Sequence, residues 1–161
     1  MKNYRIFAIG HSDLPRVASL ARRIWPEAFA KILPVEAITP MLDDIYALAT
    51  LTADIDIRDH QYWLASIADQ DVGYVSAYVE GGRVWIKKLY VLSETRGSGL
   101  GKALIKTVVD QFGSELPIAL NVNDANHAAI SFYKSAGFEI EGHAPVRMGP
   151  YDFHDFVMVK R

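Results

Sequence analysis

Between Leu89 and Lys102 an apolar run, Leu89-Tyr90-Val91-Leu92, gives way to a polar turn and then to three glycines in five residues, Gly97, Gly99 and Gly101. Beyond them Leu100, Leu104, Val108 and Phe112 recur at helical spacing, with Lys102, Lys106 and Asp110 off that stripe. A strand, a glycine-rich turn and a helix together make a cradle for anionic oxygen. Glycine lets the backbone turn sharply and approach a ligand closely, which leaves N–H groups free to point inward, and the positive end of the helix dipole adds to the attraction. The turn lacks the Lys-Ser/Thr end of a P-loop, and its glycines do not stand at dinucleotide-fold spacing. Taken alone, it also fits a tight strand-to-helix connection that binds nothing.

A second stretch weighs against that bland reading. The residues Asn126-x-x-Ala129-x-x-Phe132-Tyr133-x-x-x-Gly137-Phe138 read as one helix. Asn126 and Tyr133, seven residues apart, share a face of it. The pattern Arg96-x-x-Gly99-x-Gly101 resembles the pyrophosphate-binding motif of the GNAT acetyltransferase superfamily, whose members bind acetyl-coenzyme A. The Asn126–Phe138 pattern is similar to the second cofactor motif of the same superfamily. The resemblance covers Val84 to Phe138 strongly and the first sixty residues loosely; Arg22-Arg23-Ile24-Trp25-Pro26-Glu27-Ala28-Phe29 looks like small acetyltransferases of polyamines and related amines.

The resemblance implies acetyl-coenzyme A as cosubstrate and a primary amine as acceptor. It implies cofactor contacts from Leu89, Tyr90, Val91, Arg96, Gly97, Ser98, Gly99, Leu100, Gly101 and Lys102, the pyrophosphate lying on main-chain N–H groups from Gly97 to Lys102. A side chain at Gly99 or Gly101 is expected to obstruct that approach. Asn126 would reach a pantetheine amide, and Tyr133 would protonate the leaving thiolate. Two other readings fit the motifs: an acyl-coenzyme A sensor without turnover, and an acetylase of a protein or peptide amine.

In direct transfer the amine attacks the thioester. An alkylammonium of pKa near 10 is only about a thousandth neutral at pH 7, so a base, a carbonyl or a water chain must take its proton. In the branch of the superfamily that acetylates ribosomal-protein termini, a glutamate base stands where this chain has Asn121, and an amide cannot take that proton. Glu27, Glu36, Asp43 and Asp44 remain as acids that could receive a cation, among the aromatics Trp25, Phe29 and Tyr46; Arg22 and Arg23 would pair with them or hold a substrate carboxylate. An acceptor pocket is expected between the Trp25–Tyr46 helices and the sheet beside Asn121. His143, Asp152, His154 and Asp155 match no common metal spacing, so no metal is expected.

The elements that must position these groups follow from the rest of the chain. Its 161 residues, 50% of them hydrophobic, suit a single domain over residues 1–161. A net charge of −2 gives no basic field for nucleic acid. No run is long enough to span a membrane, no leader pattern opens the chain, and there is no cysteine for disulfides or thiolates. These features make a cytoplasmic protein the expectation, with a homodimer the one protein partnership left open.

Strands are predicted at Tyr4–Ile9, Tyr62–Ile67, Val72–Val79, Val84–Leu92, Pro117–Val122, Phe138–Ala144 and Asp152–Val159. Val84, Ile86, Lys88 and Tyr90 should share one face of the fourth strand, and Gly81-Gly82 should turn the hairpin before it. Ser12 or Asp13 should cap a first helix that Pro26 kinks or divides, Pro34 and Pro40 should bracket further helix, and residues 50–59 read as helix or loop. Asp124 should cap the helix ending at Gly137. The fold class is α+β: a mixed, mostly antiparallel sheet of six or seven strands with helices on both faces, the GNAT-like acyltransferase fold.

Overall fold

The computed structural model describes residues 3–148 and 150–161. Seven strands form one sheet: β1 (Tyr4–Ile9), β2 (Gln61–Ile67), β3 (Gln70–Glu80), β4 (Arg83–Val91), β5 (Ile118–Asn123), β6 (Glu139–Met148) and β7 (Tyr151–Lys160). Their order is β1-β2-β3-β4-β5-β7-β6, and every neighbouring pair is antiparallel except β4–β5. The five helices are α1 (Leu14–Ala28), α2 (Val35–Ile45), α3 (Leu48–Asp56), α4 (Leu100–Phe112) and α5 (His127–Ser135).

The parallel pair is the irregular part of the sheet. β4 and β5 pair only over Val84–Ile86 and Ile118–Leu120, although β4 continues to Val91 and β5 to Asn123. The separation begins where β4 carries a bulge: Ala77 pairs with Ile86 and Ser76 with Lys88, which leaves Lys87 as the extra residue. A bulge bends its strand and increases the local twist. It also overturns the alternation expected from the sequence. Lys88 and Tyr90 share a face with Trp85, across from Ser76, Tyr74 and Tyr78, whereas Val84 and Ile86 join Leu89 and Val91 on the other.

Each face has its own helices. α4 lies over the Leu89–Val91 face, where Leu100 Cδ2 would stand 3.6 Å from a Cβ on Gly73, and its far end meets the sheet through Trp63 and Phe112, 6.5 Å between ring centroids. Leu100, Leu104 and Val108 are buried as the stripe requires. α1 and α2 cover the Tyr74–Tyr90 face with an aromatic cluster: Trp25 lies 4.5 Å from Phe29, 5.6 Å from Tyr46 and 6.0 Å from Tyr90 by ring centroid. The Tyr46 and Tyr74 hydroxyls meet at 2.6 Å.

Several local expectations change. Residues 48–56 are helical. Pro26 does not divide α1, because it sits on the exposed side of the last turn. Pro34 is the N-cap of α2, and Pro40 lies inside that helix with its ring exposed. Asp13 precedes α1 without capping it, since its carboxylate is taken by Arg16 at 3.2 Å. Asn126, not Asp124, caps α5: its carboxamide oxygen accepts the Ala129 N–H at 3.2 Å.

α3 is fastened to the sheet by ions. The buried Asp54 carboxylate accepts the Tyr62 hydroxyl at 2.6 Å, the Lys88 ammonium at 3.2 Å and the Arg58 guanidinium at 3.0 Å. Burial alone would raise the Asp54 carboxyl; Lys88, Tyr62 and His60 together outweigh that and hold it below its ordinary value. Burial in turn lowers the Lys88 ammonium, with Asp54 opposing. The stability that Asp54 contributes is therefore present above the ordinary carboxylate range and lost as pH falls through its depressed folded value. Asp54→Ala should cost about 3–5 kcal/mol in urea unfolding by stranding a buried ammonium. Adding Lys88→Met should restore much of that loss; no recovery in the double variant would count against the pairing.

Candidate active site

The gap between β4 and β5 opens into a cavity of about 1550 Å³. Pockets for one small ligand run to roughly 300–1,000 Å³, so this one has room for a long ligand and a second reactant. Its wall contains Arg96, Gly97, Gly99, Leu100, Gly101 and Lys102 at one end and Trp25, Glu27, Tyr46, Asp54 and His60 at the other. Leu89, Tyr90, Val91, Asn121, Asn126 and Tyr133 line it between them. All but one of the side chains singled out in the sequence for cofactor contact or catalysis therefore border a single space.

The exception is Ser98. Its hydroxyl donates to the Thr95 carbonyl and accepts the Leu100 N–H at 3.3 Å, and its own N–H goes to the Thr95 carbonyl at 3.2 Å. The donor row expected from Gly97 to Lys102 is therefore interrupted. The N–H groups of Gly97, Gly99, Gly101 and Lys102 have no partner among the described residues, the last three because the first turn of a helix leaves them.

The glycines of this loop serve different needs. Gly99 has φ +84°, a left-handed conformation, and a Cβ there would meet no protein atom within 4 Å. Gly101 is an ordinary helical residue whose Cβ would stand 2.8 Å from Phe132 Cζ, so it permits α5 to lie against α4. Both glycines border the cavity, and Gly101 has the packing of Phe132 as a second reason to lack a side chain.

The edge of β4 is similarly selective. The Leu92 N–H bonds the Val72 carbonyl at 2.8 Å. Strand alternation then turns the main-chain groups of Tyr90 and Lys88 toward β3 as well, and those of Leu89 and Val91 toward the gap. Of the expected Leu89–Val91 set, Tyr90 thus offers the cavity only its ring. Asn126 spends its oxygen on the α5 cap, which leaves its amide N–H groups to donate. Tyr133 is partly buried against Phe132 and Phe138. Burial, reinforced by Tyr90, pushes its hydroxyl above the ordinary value, so it stays protonated at neutral pH.

At the other end the acidic residues divide. Glu27 and Asp44 border the cavity; Glu36 and Asp43 do not, and Asp43 is paired with Arg22 at 2.8 Å. Trp25, Tyr46 and Asn121, between which the acceptor pocket is expected, all line this cavity. Sequence reading missed Asp54, His60, Lys88 and Arg58 here. Their only signal was Lys87-Lys88 inside an apolar strand. His60 stacks on Tyr78 with centroids 4.5 Å apart, and burial lowers it to about 4, so it is neutral at pH 7. Among the described residues no group of three or more His, Asp or Glu is placed to hold a metal, and no helix is long and apolar enough to cross a membrane.

The parted strands β4 and β5, the N-terminus of α4 and Tyr133 thus border one cavity with room for two reactants. The family model described as "Acetyltransferase (GNAT) family" matches residues 18–138, and the chain belongs to that family of acetyl-coenzyme A-dependent N-acetyltransferases. An uncharacterized N-acetyltransferase of Mycobacterium tuberculosis is 28% identical over 152 residues, 92% of this chain and 97% of that protein. The L-methionine sulfoximine/L-methionine sulfone acetyltransferase of Pseudomonas aeruginosa is 27% identical over 148 residues, 84% of this chain and 80% of its own length. The PaiA N-acetyltransferase of Thermoplasma acidophilum, solved in complex with coenzyme A, superposes with a TM-score of 0.81 at 22% identity, covering 99% of both chains.

The two glycines can be separated by experiment. Gly101→Ala should lower the melting point by overpacking, at about 1–3 kcal/mol, and Phe132→Leu in the same chain should recover part of the loss. Gly99→Ala should cost about 1–2 kcal/mol through its left-handed backbone, with no help from Phe132→Leu. Equal rescue of both variants would contradict the assignment.

Proposed function

We propose that the protein transfers the acetyl group of acetyl-coenzyme A directly to a small primary amine. The observation that carries this reading is the parting of β4 and β5 within one cavity that joins the α4 N-terminus to an aromatic and acidic chamber. The pyrophosphate lies on the N–H groups of Gly99, Gly101 and Lys102, with Arg96 beside it, where the helix dipole and free donors favour an anion. The pantetheine runs along β4 and completes the main-chain hydrogen bonds of Leu89 and Val91, with the Asn126 amide as a further donor. One of these strand N–H groups receives the thioester oxygen as negative charge develops. Tyr133 gives its proton to the departing thiolate. The amine enters from the opposite chamber, so the two reactants meet at the fork and the entropy of bringing them together is met in binding.

A small acceptor fits the chamber better than a folded protein does. Trp25, Phe29 and Tyr46 enclose it, and Glu27 and Asp44 stand at its border to attract a cation. That a relative of similar length acetylates an amino-acid analogue supports the same reading.

The direct test is thiol release from acetyl-coenzyme A with putrescine, spermidine, L-lysine, L-methionine and an unstructured peptide bearing a free N-terminus. Turnover of at least one small amine is expected. Coenzyme binding without turnover of any amine would leave a sensor, and turnover of the peptide alone would redirect the acceptor to polypeptides. Tyr133→Phe keeps the ring and removes the hydroxyl. Turnover should fall about 10- to 1000-fold while coenzyme A affinity, measured by calorimetry, stays within a few-fold. Unchanged turnover would return Tyr133 to a packing role.

A further inference from the structure

The functional reading leaves the proton of the incoming ammonium without a destination. Six carboxylates border the cavity: Glu27, Asp44, Asp54, Asp59, Glu80 and Asp155. Glu27, Asp44, Asp59 and Glu80 are exposed, so water competes for whatever they bind. Asp54 is buried, but its oxygens are occupied by Tyr62, Lys88 and Arg58. Asp155, on β7, is partly buried, and among the described residues its carboxylate has no hydrogen-bond or ion-pair partner.

Its place on the sheet follows from the register. Trp85 pairs with Ala119 across β4–β5, so Ala119, Asn121 and Asn123 share the face that carries Lys88 and Tyr90. Asn123 pairs with Asp155 and Asn121 with Val157, which puts Asp155 on that same face, one strand beyond the gap. α1 and α2 border the acceptor chamber on this face, whereas α4 lies over the other. We infer that Asp155 is the residue that binds the acceptor ammonium beside Asn121 and receives its proton, a catalytic base entering from β7; this rests on the functional reading above.

The surroundings suit the task. Burial, aided by the negative charge of Asp124, raises the Asp155 carboxyl above its ordinary value, with Lys87 opposing. A raised carboxylate is a stronger base, closer to what proton transfer near neutral pH needs. The groups facing it are Asp124 from the β5–α5 connection, Lys87 and Tyr90 from β4, Asn123 across β5 and Ala144 across β6. Lys87 is the one cation among them.

The step balances. The acceptor ammonium gives one proton to the Asp155 carboxylate, and the lone pair this frees forms the C–N bond to the thioester carbonyl carbon. The tetrahedral adduct collapses, the C–S bond breaks, and the thiolate leaves with the Tyr133 proton. As the amide forms, the nitrogen's second proton passes to the Tyr133 phenolate, and Asp155 releases the first to water. No oxidant, metal or further reactant is needed.

The experiment compares wild type, Asp155→Asn and Asp155→Glu with whichever of spermidine, putrescine, L-lysine or L-methionine the wild type acetylates. Asp155→Asn should reduce kcat/KM by about 10²- to 10⁴-fold with coenzyme A affinity unchanged within about twofold, and Asp155→Glu should recover part of the loss. Wild-type kcat/KM should fall as pH drops through the raised Asp155 value, and Asp155→Asn should lack that acidic limb, a change that a packing role would not produce. An active wild type with Asp155→Asn within threefold of it overturns this inference alone. A wild type that binds coenzyme A and acetylates no amine overturns the functional reading and this inference together. Should Asp155→Asn fail to fold, the wild-type profile decides, since a rate that stays flat into the acid range excludes Asp155 as the base.

Discussion

Two central strands cannot separate inside a protein without exposing main-chain groups that each expected a partner. A buried N–H or C=O left unpaired costs as much as a lost hydrogen bond. Apart from the extra residue at Lys87, β4 keeps its β3 partner, so on its side of the gap the Leu89 and Val91 main chains are the ones left facing it. These groups give the site its character: they fit an extended ligand with amides of its own, because only such a ligand restores the missing ladder. On the functional reading, pantetheine is that ligand, and the anionic end it carries is met by the free N–H groups of α4. The bulge at Lys87 is the device that creates the gap, since β5 ceases to pair at Ile86, immediately before the extra residue.

A gap in a sheet also weakens whatever is packed across it, and the acceptor side is braced accordingly. Asp54 ties α3 to β2 through Tyr62 and to β4 through Lys88, while Trp25 and Tyr46 tie α1 and α2 to Tyr74 and Tyr90. A buried ion pair is weak evidence for net stability, because desolvation offsets most of the attraction. Its consequence here is positional. Tyr62, Ser76 and Lys88 form one row across β2, β3 and β4, and a single carboxylate above that row fixes where α3 can sit. The bulge makes this possible, because without it Lys88 would point to the α4 face.

Sequence pattern singled out the residues at the α4–α5 end of the cavity more readily than those at the α1–α3 end, for physical reasons. Gly99 and the Leu100–Phe112 stripe report local backbone demands, and local demands are legible in a run of residues. The Asn126–Tyr133 spacing was legible because it is one helix face. The bulge at Lys87 was not, since period-two alternation carries no mark of one inserted residue and both faces of β4 are largely apolar. Asp54 and Lys88 stand 34 residues apart and meet only through the tertiary fold. The caps show the same limit at shorter range. Asp13 and Asp124 are as good as Asn126 by residue type, yet Asp13 is drawn off by Arg16 and Asn126 stands nearer the helix start. Gly101 illustrates the converse: a motif position expected to serve a ligand, where a Cβ would also meet Phe132.

Acyl transfer to an amine asks for opposite protonation states on the two sides of one carbonyl: a donor behind the sulfur and an acceptor behind the nitrogen. Burial supplies both at once. Desolvation disfavours the charged form of any acid, so it keeps the Tyr133 hydroxyl protonated and makes the Asp155 carboxylate more eager for a proton. The two groups start from very different ordinary values, near 10 and near 4, and a rise in each leaves the first firmly neutral and moves the second toward the working pH. Charge sets the rest of the difference, for Asp124 adds to the rise at Asp155 and Lys87 opposes it, while no cation opposes the rise at Tyr133. On this reading the cavity needs no separate device for each proton. One partly dry space, entered by a phenol beside α4 and a carboxylate from β7, assigns the two roles by the chemistry of the side chains themselves.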